Sequence, residues 1–218
     1  MTFWRLQVAL CLAVTLAACA LSKPAPEATT YVIDSTTPSE RDLVSSARLP
    51  ETLRMGRIHT AAAFSGTALI YRMDDVKFVS DPYSAFIAEP AAMLGDQMAV
   101  WLNRAGPFQT VTGPESSQSV HYVLEADVTE LYGDFRSGRS PEAVLAMRLT
   151  LIDLTGARPR AMLERSIAER VAIQNATPEA LVRGYGVALT NLLTQLRSDL
   201  QEAVNGTPRV GNVGPSVH

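Results

Sequence analysis

The stretches VHYVLEADV (residues 120–128), AVLAMRLTL (143–151) and MLERSIAERVAI (162–173) decide the fold. In the first, Val120, Tyr122, Leu124, Ala126 and Val128 alternate with His121, Glu125, Asp127 and Thr129. That period of two is a strand with one buried and one wet face. Ala143, Leu145, Met147, Leu149 and Leu151 repeat the pattern, and Leu163, Ile167, Val171 and Ile173 share one face of the third run. Turn residues at 133–140 and 156–159 separate the runs, so the spacing predicts an antiparallel meander.

Helical periods flank the meander. After it, Thr177 can cap a helix with Pro178 at its first position, and the apolar stripe runs Leu181, Tyr185, Leu189, Leu192, Leu196, Leu200. Before it, Ile87, Ala91, Leu94, Met98, Trp101 and Ala105 predict a helix over 86–105, stopped by Gly106-Pro107. Upstream, Tyr31-Val32-Ile33 is β-rich. Leu53–Thr60 reads as a strand with Leu53 and Met55 inward and Ile58 a third candidate. Residues 68–72 and 76–80 form a hairpin around Met73-Asp74-Asp75. The pattern is one α/β (or α+β) domain over 31–204, a mixed, largely antiparallel sheet packed by two main helices.

The 218 residues carry 19 Lys+Arg against 22 Asp+Glu, with 47% hydrophobic residues. This is a globular composition, and its slightly acidic balance with no basic run excludes a nucleic-acid surface. Both cysteines, Cys11 and Cys19, precede residue 20, so the body has no disulfide framework and no cysteine nucleophile. His59 and His121 lack metal-ligand spacing, and His218 is in the tail. The sequence contains no phosphate loop or nucleophile elbow. Asp74, Asp75 and Asp81 read as solvated turn charges rather than a calcium cluster. Glu125, Asp127 and Glu130 read as a wet strand face. Gly184-Tyr185-Gly186 reads as room for a helix to approach a sheet. The expectation is no catalytic residue, metal or cofactor, and no enzyme.

Tyr71, Phe78, Tyr83 and Phe86 concentrate aromatics around the hairpin, with Arg72 adjacent. They either plug the sheet–helix junction or form a partner-binding surface, where aromatics and Arg are enriched. Asp81-Pro82 predicts a turn that exposes Tyr83.

At the N-terminus, Arg5 precedes an apolar run from Leu6 to Ala18, about a dozen residues where a bilayer span needs roughly 20. It ends Leu16-Ala17-Ala18-Cys19, which resembles the lipobox of bacterial lipoproteins. Residues 1–18 are then a lipoprotein signal peptide, and Cys19 the site of lipidation. Residues 19–30 form a flexible tether, and 205–218 a disordered tail. A plain secretory signal with an accidental Cys, or a short anchor helix, is the competing reading. Ala20 stands where an Asp would favour inner-membrane retention, which points to the outer membrane.

The run 68–72, the Tyr83 turn, Ala88-Glu89-Pro90 opening a helix and Leu102–Phe108 closing it resemble the auxiliary lipoproteins of ABC-type transport systems. This is the family of paraquat-inducible lipoprotein C. The resemblance covers residues 31–203. It implies a lipid-anchored periplasmic domain with a three-layer fold, working beside an ABC permease and a mammalian-cell-entry-domain protein in lipid transport, without catalysis. A homo-oligomer stays open. A tethered periplasmic scaffold or activator of cell-wall enzymes is the alternative. Under the lipobox reading, Cys19→Ala blocks acylation and leaves uncleaved precursor in the inner membrane. Mass spectrometry of the purified chain should find lipid mass on Cys19, and an unmodified Cys19 or a different mature start would sink the assignment.

Overall fold

The computed structural model describes residues 27–35 and 48–206. The signal segment, Cys19, most of the tether, residues 36–47 and the tail from 207 onward lie outside the described residues. The chain runs β1 (Thr29–Tyr31), β2 (Leu49–Thr60), a 3-10 turn (Ala62–Phe64), β3 (Ala68–Arg72) and β4 (Phe78–Phe86). It continues through α1 (Pro90–Ala105), β5 (Phe108–Thr112), β6 (Tyr122–Asp134), β7 (Glu142–Asp153), β8 (Arg160–Ala172) and α2 (Pro178–Gly206).

β6 is the spine. Along one edge it pairs antiparallel with β7 from Tyr122↔Asp153 to Asp134↔Glu142, and β7 pairs antiparallel with β8. The meander is therefore as the alternation predicts. The other edge of β6 serves two strands in line. β2 lies parallel along residues 122–128, and β3 lies parallel at Gly133 and Asp134. The 3-10 turn bridges them, and the Ala61 N–H donates to the Val128 carbonyl at 2.9 Å. β5 extends the sheet beyond β2. β4 pairs antiparallel with β3, and β1 lies parallel on the far edge of β4. The result is one eight-stranded mixed sheet that forks at β6.

Bulges explain where the simple alternation stops. Residues Val128 and Glu130 oppose the adjacent pair Met147 and Ala146, so Thr129 is extra. The buried parity then changes from 122, 124, 126 and 128 to 131 and 133. β6 continues to Asp134, through residues whose sequence reads as a turn, because β7 and β3 both pair with it there. A second bulge lies between Met55 and Ile58 of β2. There a Cβ on Gly56 would stand 2.7 Å from Val123 Cγ1 and 2.9 Å from Glu125 Cγ, so only glycine permits the approach.

Both helices cover the same face. Leu181 of α2 lies over Gly133, Gly184 over Ala143, and Gly95 of α1 over Ile58. Through the pairs Gly133↔Ala143, Ala126↔Leu149 and Ile58↔Ala126, those strand residues share one side of the sheet. Among the described residues the fold thus has two layers, where the family resemblance implies three. The opposite face, with Glu125, Asp127 and Arg148 exposed, carries no α-helix among the described residues. β8 is an edge strand, and of its four predicted inward residues only Ile167 is fully buried.

α1 begins at Pro90 rather than Phe86. A proline disfavours helical geometry in the residue before it, and Glu89 has ψ 137°. Phe86 accordingly ends β4. The α2 stripe is buried throughout: Leu181, Tyr185, Leu189, Leu192, Leu196 and Leu200 are all at 0% exposure. The Thr177 hydroxyl accepts from the Ala180 N–H at 3.3 Å, as its capping position predicts. Between the helices passes the strap that follows β1. Ile33 is fully buried, and the Ser35 N–H and hydroxyl both donate to Gln97 Oε1 of α1, at 3.1 and 3.0 Å. On α2, a Cβ at Gly186 would lie 2.2 Å from the Asp34 carbonyl oxygen.

Two substitutions test this packing. Gly→Ala inside a helix ordinarily stabilises by about 1 kcal/mol. At Gly184 the new Cβ would lie 2.6 Å from Ala143 Cβ, so Gly184→Ala should instead destabilise, by about 1–3 kcal/mol. Leu192→Asp, placing a carboxylate in the dry interface, should cost several kcal/mol and abolish cooperative melting. Thermal denaturation followed by circular dichroism reads both, and unchanged melting of Leu192→Asp would refute the assignment of the α2 face.

Candidate functional site

The β3–β4 hairpin concentrates exposed apolar surface. Met73, Val76, Phe78, Val79 and Tyr83 are five of the nine large hydrophobic residues exposed among the described residues. Its turn is built by Asp74, whose Oδ1 accepts from the Val76 and Lys77 N–H groups at 2.8 and 2.7 Å. Those two donors hold the Asp74 carboxyl below the usual range. Arg72 folds over the same turn, donating from Nε to the Asp74 carbonyl and from Nη2 to the Asp75 carbonyl, each at 3.1 Å. Its guanidinium carbon lies 5.7 Å from the Phe78 ring centroid.

The five residues singled out in the sequence do not form one surface. Arg72 and Phe78 are cross-strand partners on the open face of the sheet. There Phe78 meets Tyr132 edge-on at 5.3 Å and Phe64 at 6.3 Å, remaining 45% exposed. Tyr71 points to the helix-covered side, stacks on Phe135 at 4.9 Å and donates its hydroxyl to Asp81 Oδ2 at 2.5 Å. Burial and that bond push the Tyr71 pKa well up. Phe86 is core, packed on Tyr185 with ring centroids 6.1 Å apart.

Tyr83 is 46% exposed within β4. Four residues of β4, Asp81 to Ser84, lie between paired positions where β3 has only Leu69, and this wide bulge leaves Pro82 and Tyr83 exposed. Asp81 Oδ1 accepts from the Tyr83 and Ser84 N–H groups at 2.8 and 2.9 Å, making a local turn inside the strand. Burial pushes the Asp81 carboxyl up, but the Tyr71 hydroxyl and these amides outweigh it and its pKa falls.

A charged clamp fixes the hairpin to the meander, and the sequence pattern alone does not reveal it. Asp134 is nearly buried at the end of β6 and accepts from Arg136 Nε and Nη2 at 2.9 and 2.7 Å, and from Arg170 Nη1 at 3.4 Å. Arg136 Nη1 reaches back to Asp75 Oδ1 at 2.7 Å. Arg170 also donates to Glu142 at 3.3 Å and to the Tyr132 hydroxyl at 3.3 Å. The only local signal is Asp134-x-Arg136, inside a stretch that reads as a plain turn. Arg136, chiefly through its hydrogen bonds, holds the Asp134 carboxyl below its usual pKa.

The histidines do other work. His121 Nδ1 accepts the Thr52 N–H at 3.1 Å, and His59 Nδ1 lies 3.8 Å from Asp127 Oδ1 on the open face. Among the described residues, no group of three or more His, Cys, Asp or Glu side chains could hold a metal ion. Nor is any helix among them long and apolar enough to cross a membrane.

The family model for an ABC-type transport auxiliary lipoprotein component matches residues 31–197. No curated protein matches the chain. Among solved structures, a protein of Xanthomonas campestris is 16% identical with a TM-score of 0.69, covering 82% of this chain and 98% of that one. An uncharacterized protein is 11% identical with a TM-score of 0.62, covering 80% and 99%. A hypothetical protein of Chlamydia trachomatis is 8% identical with a TM-score of 0.52, covering 73% and 100%. At such identities these structures show a shared fold.

The clamp predicts an acid-sensitive hairpin. Because the folded pKa of Asp134 is depressed, its contribution is complete above the unfolded value, about 3.9. It is lost as pH falls through the lower folded value. Asp134→Asn should therefore lower the melting temperature at neutral pH and flatten the loss of stability on acidification. Phe86→Ala should cost about 3–5 kcal/mol, whereas Tyr83→Ala should leave melting nearly unchanged. Melting curves across pH 2–7 on the three variants check all of this.

Proposed function

Because this chain belongs to the family of ABC-type transport auxiliary lipoprotein components, we propose that it is a non-catalytic lipoprotein of an envelope lipid transporter. Cys19 carries its lipid anchor in the outer membrane, and the domain faces the periplasm. Its partners are an ABC permease system and a mammalian-cell-entry-domain protein. The observation that carries this reading is the family match across nearly the whole described domain. The Leu16–Cys19 tetrapeptide supports the anchor. Two more features fit a binding role: the helix-covered core closes on apolar side chains, and the polar clusters serve to brace the hairpin.

The partner surface is the flank of the hairpin, where Phe78 and Tyr83 are each nearly half exposed. Tyr71, Arg72 and Phe86 act behind it, as its hydroxyl brace, its turn brace and its core anchor. Exposed aromatics at the centre of an interface typically contribute more than 1 kcal/mol each.

Co-purification of the full-length chain in mild detergent tests the proposal. The expected companions are a permease, an ATPase and a mammalian-cell-entry-domain protein. Phe78→Ala and Tyr83→Ala should weaken their recovery while leaving the melting temperature within a few degrees. Recovery of a cell-wall synthase or hydrolase in their place would overturn the transport reading. Loss of binding only in variants that also melt early would move the interface off this flank.

A further inference from the structure

Several structural features converge on one end of the domain. β4 runs from the hairpin tip toward Phe86, and β1 lies parallel to it, Thr29↔Ser84 to Tyr31↔Phe86. The N-terminus of β1 therefore points toward the tip. β6 is parallel to β3 and ends with Asp134 beside Arg72, so the β6–β7 turn emerges at the same end. The Phe135 N–H donates to the Arg72 carbonyl at 2.9 Å there. The described chain starts at Glu27, eight residues after Cys19. At about 3.3–3.6 Å per residue, that segment reaches no more than about 29 Å.

The surface presented at this end is apolar at its apex and cationic beside it. Val76 is 89% exposed and Met73 42% exposed. Lys77 and Arg139 are exposed on the two adjoining turns. The nearby carboxylates are already engaged. Asp74 accepts two backbone N–H groups, Asp75 and Asp134 bind Arg136, and Glu142 binds Arg170. Net repulsion from an anionic surface is thereby reduced.

We propose that the β3–β4 tip and the β6–β7 turn dock on the lipid bilayer that holds the Cys19 anchor. Val76 and Met73 enter the interfacial layer, and Lys77 and Arg139 meet lipid phosphates. The contact rests on the anchoring reading above and deepens it. One lipid attachment leaves a tethered domain free to swivel, and a second, apolar contact sets its orientation. The partner flank at Phe78 and Tyr83 is then held at a defined height and heading above the bilayer.

The test uses the mature chain purified from membranes and placed in vesicles of phosphatidylethanolamine and phosphatidylglycerol. Val76→Cys carries an environment-sensitive fluorophore, and Ala157→Cys, in the β7–β8 turn at the opposite end, is the control. The expected result is a blue-shifted emission at position 76, quenched by nitroxide-bearing lipids, with neither effect at position 157. Lys77→Glu with Arg139→Glu should reduce the quenching. Water-like emission at both positions, in chains that float with the vesicles, would overturn the proposal. So would crosslinking of position 76 to a second copy, which would make the tip a self-association site. Flotation and lipid mass on Cys19 report the anchor separately. A chain lacking both overturns the anchoring reading and this orientation with it, whereas a floating chain with a wet tip overturns the orientation alone.

Discussion

The contact of α2 with the β7–β8 surface is the interaction on which the rest of the structure depends. Five leucines and Tyr185 of one helix stripe are fully dehydrated in the same core cluster as Leu131, Ala143, Leu145, Met147 and Leu149. Burying side chains of this size contributes about 1.5–3 kcal/mol each, an upper range because the unfolded chain already hides some of that surface. The helix sits this close because Gly184 presents no side chain to Ala143. The other face of the sheet is mixed: Glu125, Asp127 and Arg148 are exposed there, while Val123, Tyr132, Val144 and Ala146 are buried, Tyr132 stacked under Phe64 of the 3-10 turn.

The same close approach governs how the N-terminus joins the core. The strap from Tyr31 to Ser35 passes between α1 and α2, where Gly186 leaves room for the Asp34 carbonyl and Gln97 takes both Ser35 donors. At its start the Tyr31 hydroxyl donates to Glu179 Oε1 at 2.7 Å, at the first turn of α2. Any pull on the chain ahead of Thr29 is thus delivered first to a three-residue edge strand and then to the interhelical seam. β1 also covers part of the β4 edge, limiting the length of strand left open to pairing.

The hairpin combines rigidity with exposure. Asp74, Asp81 and the Asp134–Arg136–Asp75 chain fix its turn, its bulge and its angle to the sheet. The Asp74, Asp81 and Asp134 carboxylates are held ionised by donors aimed at them. Apolar side chains can therefore stay in water without collapsing onto the domain. Such surface is what a soluble fold would ordinarily hide, and its concentration on one braced element is the reason to assign it a binding role.

Much of this was legible along the chain. The period-two runs specified three strands and their antiparallel order, since short turns leave neighbouring strands no other route. The α2 stripe and its Thr177 cap were readable because helical periodicity and capping are local properties. The reading of residues 1–18 as an export signal, with Cys19 as its lipidation site, likewise rests on contiguous residues alone. What needed the tertiary structure was every feature set by partners distant in sequence. The bulge at Thr129 reverses which residues of β6 face inward, and no local pattern marks it. The forked edge of β6 depends on β2 and β3 lying in line, a matter of register across some sixty positions. Tyr71, Phe78 and Phe86 look alike in sequence, yet one is braced by a carboxylate, one is half exposed and one is core. Strand pairing and the placement of α2 decide which is which, because burial is a property of what arrives from elsewhere in the chain.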